Sequence, residues 1–193
     1  MSLLEKEESL AESKYPTFNW QNIWKNYMSL YVYSFDKEII YKQLHVCLAT
    51  NKKLYTMDLI NPDKCNKCTA DREQTSIHIF YECENIQTLF MRLIRVIFYV
   101  TNFKPVSNIK FIYFDNKYRD RQQKDMCNIF ISAYILTVWK MRKENIRIGI
   151  LKHMIISKTL STIDIMKYIP KMSVESIIGN YISKVNSEVL LRI

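Results

Sequence analysis

The residues best suited to chemistry lie between positions 65 and 83, where the sequence reads CNKCTADREQTSIHIFYEC. Cys65, Cys68, His78 and Cys83 provide three thiols and one imidazole in this segment. Thiolate sulfur and imidazole nitrogen are typical zinc ligands, and four of them complete a tetrahedron. Because a complete set leaves no position for water, the pattern predicts a structural Zn2+ ion and not a catalytic one.

Other interpretations of these side chains remain open. Free cysteines are often buried without any ligand role, and His78 would then be an ordinary surface histidine. A Cys-x2-Cys pair also marks redox sites, but those need a thioredoxin-like strand and helix, which the sequence does not indicate. His45 is another imidazole, but it lies among aliphatic residues and is a weaker candidate than the four donors.

Two local structures are needed to bring the donors together. Cys65 and Cys68 require a tight turn, for which Pro62 and its polar neighbours supply suitable residues. Cys83 follows His78 by five positions, or about 500° of rotation on an ideal α-helix. The two side chains would not share one helical face, so the spacing predicts a bent or loosened turn.

The composition favours a helical protein. Of 193 residues, 48% are hydrophobic, and only two glycines and four prolines are available for tight turns. The length fits one domain with a substantial core. We expect a mostly α fold, a helical bundle with one CCHC zinc knuckle (residues 65–83) and little or no β-sheet. The predicted divisions are a mobile acidic tail at 1–14, a zinc-binding helical domain at 15–146 and a C-terminal helical extension at 147–193.

Hydrophobic periodicity predicts the positions of the helices. The first helix is expected from Trp20 to Tyr31 with an aromatic face, the second from an N-cap at Asp36, and the third from Asn51 to Ile60. The fourth is expected from Cys83 to about Val100, and the fifth begins at about Asp120. Two further helices are expected near Arg147 to Tyr168 and Ser173 to Arg192. The inward face of the fourth helix is predicted to contain Ile86, Leu89, Phe90, Leu93, Ile94, Ile97 and Phe98. The run from Ile109 to Phe114 predicts a short β-like stretch.

Basic residues outnumber acidic ones by 28 to 19, for a formal net charge of +9. Such a balance favours polyanionic partners. The candidate phosphate contacts are Lys64, Lys67 and Arg72 beside the cysteines, and Lys140, Arg142, Lys143 and Arg147 near the end of a predicted helix. A solvated helix end explains the second group equally well. The charge therefore favours nucleic acid as a partner without separating RNA from DNA.

Patterns typical of enzymes are lacking in the sequence. It contains no Gly-rich phosphate loop, no His-Glu-x2-His and no nucleophile elbow. Asp115, Asp120 and Asp125 are spaced by five positions and are not grouped as a catalytic carboxylate pair. We therefore expect no enzymatic activity.

The N-terminus and the cysteine pattern predict a reducing intracellular compartment, the nucleus or the cytoplasm. The first residues are acidic and do not resemble a secretory leader. Cys47 and Cys127 lie in apolar runs typical of core thiols. The segment from Leu89 to Phe103 is too short for a bilayer and is interrupted by arginines, so no membrane association is expected.

Taken together, these features resemble the reverse-transcriptase zinc-binding domain that follows the polymerase in many non-LTR retrotransposons. The resemblance covers roughly residues 18 to 145. It rests on the aromatic Trp20–Trp24 entry, the Tyr41–Leu59 segment, the Cys-x2-Cys, Glu73 and Thr75, the closure His78-Ile-Phe-Tyr-Glu-Cys83, and Trp139-Lys-Met-Arg-Lys143. No residues resemble the catalytic aspartates of the polymerase, so the resemblance implies a stand-alone remnant, a fragment or a domesticated copy.

The resemblance and the charge together imply a non-enzymatic zinc-stabilised domain that binds RNA or DNA. The alternative is a zinc-stabilised helical protein-interaction module whose aromatic face meets a protein partner. The sequence leaves the oligomeric state open.

Overall fold

The computed structural model describes residues 17–143, 150, 153–155 and 157–159. These residues are mostly helical, as the composition predicts, and their β pairing is limited to one isolated antiparallel bridge between Lys64 and Glu73. The helices are α1 (Trp20–Met28), α2 (Ser34–Leu44), α3 (Asn51–Tyr55), α4 (Glu84–Thr101), α5 (Asn108–Ile112) and α6 (Arg121–Lys143), with a π-helix at His78–Glu82 before α4.

Several predicted segments lie outside the described residues. These are the tail at 1–14, the helix near Ser173 to Arg192 and most of the helix near Arg147 to Tyr168. Within the last of these, positions 150, 153–155 and 157–159 are helical.

The central element is α6. Every side chain from Met126 to Trp139 is buried, and α2, α4, α5 and the π-helix all pack against this helix. A helix that is buried on all sides belongs to the interior of a domain. The Tyr134 hydroxyl of α6 donates a 2.8 Å hydrogen bond to the Phe80 carbonyl, which fixes the π-helix against the centre of the core.

The predicted aromatic helix is present as α1. Asn19 accepts a hydrogen bond from the Asn22 backbone N–H at 3.0 Å and thereby caps the helix. Trp24 packs between Trp20 and Tyr27 at ring-centroid distances of 6.3 and 5.8 Å. The aromatic face of α1 is therefore partly buried against the core and is not a free surface.

Two helix boundaries and one element type predicted from the sequence are corrected by the structure. The N-cap of α2 is Tyr33, and Asp36 instead lies in the first turn of that helix. The helix predicted to reach Ile60 ends at Tyr55. The β-like stretch at 109–114 is wrong, because residues Asn108–Ile112 form α5, capped by Ser107. A short continuous apolar run fits a buried helix as well as a strand, and here every side chain from Phe111 to Phe114 is buried.

The predicted inward face of α4 is correct except at its end. Ile86, Phe90, Leu93 and Ile97 are buried, whereas Leu89 and Ile94 are half-buried. Phe98 is 50% exposed, so its assignment to the core was wrong.

Candidate metal centre

The loop that carries Cys65 and Cys68 is held in a tight reversal by backbone hydrogen bonds. The Cys65 N–H donates to the Arg72 carbonyl at 2.9 Å, and the Gln74 N–H donates to the Asp63 carbonyl at the same distance. The Lys67 N–H also points to the Cys65 sulfur at 3.4 Å. We call residues 61–75 the donor loop.

The second pair of donors flanks the π-helix, since His78 is its first residue and Cys83 directly follows its last. Thr75 accepts a hydrogen bond from the His78 N–H at 3.1 Å and so begins the first turn. The Cys83 N–H then donates to the His78 carbonyl at 2.8 Å, which is the i→i+5 bond of a π-helix. Because this turn is wider than an α-turn, residues five positions apart come close to alignment. The predicted loosened turn is confirmed.

The four donors meet at one point. The Sγ atoms of Cys65, Cys68 and Cys83 and a ring nitrogen of His78 all lie within 4.8 Å of one another. Cys68 Sγ and His78 Nε2 are 3.5 Å apart. Zinc–ligand bonds of about 2.3 Å to sulfur and 2.0 Å to nitrogen place two vertices of a tetrahedron about 3.5 Å apart. The arrangement can hold a metal ion, and its geometry fits zinc; we call these four residues the donor cluster.

The electrostatics of the cluster favour thiolate. A hydrogen bond from the Cys83 thiol lowers the pKa of Cys65 to about 4, and the same interaction raises the pKa of Cys83. The interaction between the two sulfurs therefore favours the anionic form at Cys65. A divalent cation would displace the remaining protons, because metal ligands bind as thiolates.

Burial separates the cluster from bulk water. Cys65, His78 and Cys83 are buried and Cys68 is half-buried. All five cysteines lie in the described part of the chain, and none forms a disulfide. Cys127 is fully buried, which raises the pKa of its thiol to about 12 and keeps it protonated. Cys127 is a core thiol, as predicted, whereas Cys47 is half-buried and lies outside the core, so the same prediction was wrong for it.

A polar network connects the cluster to α3 and to the end of α6. The buried Gln74 amide approaches Cys65 Sγ at 4.0 Å. Its Oε1 accepts hydrogen bonds from Arg142 Nε at 2.7 Å and from the Asn51 N–H at 3.2 Å. Arg142 Nη2 also donates to Asn51 Oδ1 at 3.1 Å. Gln74 and Asn51 were not predicted from the sequence, because their partners are distant in sequence.

The structure changes the role assigned to Arg142. Its guanidinium is half-buried, lies over the Trp139 ring at 4.8 Å, and is held by Gln74 and Asn51. Burial lowers the pKa of this guanidinium, and the nearby Cys65 acts in the opposite direction. Arg142 therefore supports the donor loop, and its contacts do not fit the predicted position in a phosphate-facing patch.

The other predicted basic residues differ in their surroundings. Lys64 forms an ion pair with Asp71 at 3.9 Å. Lys67 is half-buried, whereas Arg72 and Lys140 are exposed. The side chain of Lys143 and all of Arg147 lie outside the described residues.

His45 is not part of the donor cluster. Its buried ring packs against Tyr41 and Trp24 at centroid distances of 4.1 and 5.0 Å. The three spaced aspartates are also apart from the cluster: Asp115 accepts from the Asn19 N–H, Asp120 from the Gln123 N–H, and Asp125 pairs with Arg121.

No family model, curated protein or solved structure matches the chain. None of the helices in the described part of the chain combines the length and apolar character needed to cross a bilayer.

Proposed function

We propose that this chain is a non-enzymatic, zinc-stabilised helical domain that binds RNA or DNA, of the kind found in the reverse-transcriptase proteins of non-LTR retrotransposons. The observation that carries the proposal is the convergence of Cys65, Cys68, His78 and Cys83 within 4.8 Å. Four protein donors saturate a tetrahedral zinc ion, so the expected role of the metal is structural.

Zinc would cross-link the turn that carries Cys65 and Cys68 to the π-helix and the residue that follows it. Two ligands come from the donor loop, one is the first residue of the π-helix, and the fourth, Cys83, is the N-cap of α4. Three thiolates and a neutral imidazole around Zn2+ leave one net negative charge. Arg142 lies close enough to Cys65 for their charges to interact, so it would offset this charge.

Binding to nucleic acid is supported by charge. The formal net charge is +9. The Arg72 side chain is exposed on the donor loop and, among the described residues, makes no ion pair. Lys64, Lys67 and Lys140 are the remaining described candidates, although Asp71 already pairs with Lys64. Contacts of this kind predict an affinity that falls steeply with salt.

The test is binding of a labelled random oligonucleotide to the full chain, measured by fluorescence anisotropy at 50 and 200 mM salt. We expect affinity at low salt that weakens on raising the salt. The double variant Lys64→Gln/Arg72→Gln should weaken binding more than Lys25→Gln/Lys117→Gln, which removes the same charge from exposed positions on other elements. The proposal is contradicted if there is no binding at low salt, or if the affinity is the same at both salt concentrations.

A second candidate, the protein-interaction module, is favoured by one observation. Met28, Tyr33 and Phe35 are 72%, 59% and 70% exposed near the α1–α2 connection. Large exposed apolar side chains in one region mark interaction surfaces. Light scattering distinguishes this candidate. Self-association that does not depend on salt concentration and is absent in Phe35→Ser would support an apolar interface.

A further inference from the structure

The outer side of α4 is a continuous exposed surface that combines arginines with large apolar rings. Between Glu84 and Asn102, the exposed positions recur at three- and four-residue steps and so lie on one side of the helix. They are Glu84, Asn85, Gln87, Thr88, Met91, Arg92, Arg95, Phe98, Tyr99 and Asn102. We call this set the α4 surface.

The charge of the α4 surface is mainly positive. Arg92 and Arg95 are both exposed, and among the described residues neither guanidinium makes an ion pair or a side-chain hydrogen bond. Glu84, in the first turn, is the sole acidic residue of the α4 surface. A carboxylate at that end also interacts favourably with the helix dipole. The remaining length of the surface therefore complements an anionic ligand.

The rings lie beside these charges. Phe98 and Tyr99 are each 50% exposed, and Met91 is 43% exposed. With a rise of about 1.5 Å per residue, Arg92, Arg95 and Phe98 follow one another at steps of about 4.5 Å along the helix axis. Exposed phenylalanine in this position is otherwise unfavourable, because burial of such a ring stabilises a fold.

We propose that the α4 surface binds single-stranded nucleic acid, with Arg92 and Arg95 contacting phosphates and Phe98 and Tyr99 stacking on bases. This inference rests on the proposed nucleic-acid binding and assigns it a surface and a substrate class. Proteins that hold single strands combine basic side chains along the backbone with aromatic rings under the bases. A duplex does not offer the faces of its bases, which remain stacked on one another.

The α4 surface also adjoins the donor loop. The Asn85 side-chain amide, in the first turn of α4, donates to the Lys67 carbonyl. Cys83, a member of the donor cluster, is the N-cap residue of α4. A bound metal ion would therefore fix the direction of the helix that carries the binding surface.

The experiment measures anisotropy of a labelled 20-nucleotide poly(dT) or poly(U) strand, and of a blunt duplex of equal length, with the full chain purified in the presence of zinc. Arg92→Gln/Arg95→Gln should weaken single-strand binding about tenfold at 50 mM salt and lower the log–log salt slope by about 1.4, since each lost phosphate contact contributes about 0.7. Phe98→Ala should weaken binding at least about fivefold with an unchanged slope, because stacking is not an ionic contact.

Matched controls distinguish contacts made by the α4 surface from the effect of removing any two exposed charges or any exposed phenylalanine. Lys25→Gln/Lys117→Gln removes two exposed charges elsewhere, and Phe35→Ala removes another exposed phenylalanine. Both should bind as the wild type does, within about twofold. Thermal unfolding followed by circular dichroism should be unchanged in all variants, because these side chains are exposed.

The outcomes are distinguishable. If the wild type binds strands but the α4 variants match their controls, or if the duplex binds as tightly as the single strand, this inference is overturned while the proposed function stands. If the wild type binds no oligonucleotide, both fail. If Phe98→Ala abolishes self-association instead of strand binding, the α4 surface is a protein interface and the inference is overturned.

Discussion

Arg142 and Gln74 are 68 positions apart in the sequence, yet Arg142 Nε donates a 2.7 Å hydrogen bond to Gln74 Oε1. Gln74 in turn directs its amide towards Cys65 Sγ. The last turn of α6 is thereby connected to a donor of the cluster through one buried side chain. Loss of a group that orients a metal ligand commonly lowers metal affinity by about 10- to 100-fold.

This relationship predicts the effect of Arg142→Met. Loss of hydrogen bonds from a charged donor should lower the free energy of unfolding by about 1.5–3 kcal/mol. Zinc affinity should fall about tenfold, because the donor loop loses a supporting contact. Urea unfolding and competition with a chromophoric chelator measure the two effects. Lys140→Met, which alters an exposed cation two residues earlier, is the control; equal behaviour of the two variants would contradict the supporting role.

Zinc content is the second prediction. We expect one ion per chain by elemental analysis, and its removal with a chelator should unfold the donor loop and destabilise α4. Cys68→Ser should lose the ion. Its melting temperature should fall by most of the increase that zinc gives the wild type, since structural zinc contributes on the order of 10 kcal/mol in small domains. Cys47→Ser is the matched control, because Cys47 lies outside the donor cluster. Full zinc content in Cys68→Ser would remove Cys68 from the ligand set.

The donor cluster was predictable from the sequence because its signal is local. Four donors within nineteen positions define the chemistry, and the five-residue step from His78 to Cys83 already implies a widened turn. The role of Arg142 was not predictable, because a basic residue at a helix end has the same sequence pattern whether it is solvated or held by a distant Gln74. That difference depends on tertiary packing alone.

Phe98 shows a second limit of the sequence. Its spacing from Ile94 and Ile97 fits the apolar stripe of α4, but it lies at the edge of that stripe, where a small rotation of the helix decides between core and solvent. The stretch at 109–114 shows a third, since its continuous apolar run carries no period that separates helix from strand. Both errors concern orientation and packing, which periodicity constrains only weakly.

The π-helix leads to a third prediction. Deletion of Glu82, an exposed residue of this turn, would convert the five-residue step into four and rotate α4 by about 100° relative to the donor loop. Ile86, Phe90 and Leu93 would then leave the core, with a cost of about 1.5–3 kcal/mol for each. Circular dichroism should show a strongly lowered melting temperature. Glu82→Ala keeps the residue count and should melt close to the wild type, and similar melting of the deletion would show that the register of α4 is not fixed by this turn.

The fourth prediction concerns Asp125, whose carboxylate is 3% exposed and lies 3.5 Å from Arg121 Nε. Burial raises the pKa of Asp125, and Lys124 and Arg121 only partly oppose this effect. The folded state therefore binds the proton more tightly than the unfolded state, so the contribution of Asp125 to stability is present below the unfolded pKa and is lost as pH rises through the folded pKa.

It follows that Asp125→Asn should increase the free energy of unfolding at pH 7 and change it little near pH 3, where the carboxyl is neutral in both states. The lost ion pair opposes this gain only weakly, because Arg121 is 69% exposed and such pairs contribute about 0–1 kcal/mol. Urea unfolding of both proteins from pH 3 to 7 measures the difference, and Asp58→Asn, which changes an exposed aspartate that makes no ion pair among the described residues, serves as the control. A variant that is destabilised at pH 7 but not at pH 3 would mean that the ion pair with Arg121 outweighs the cost of burying the charge.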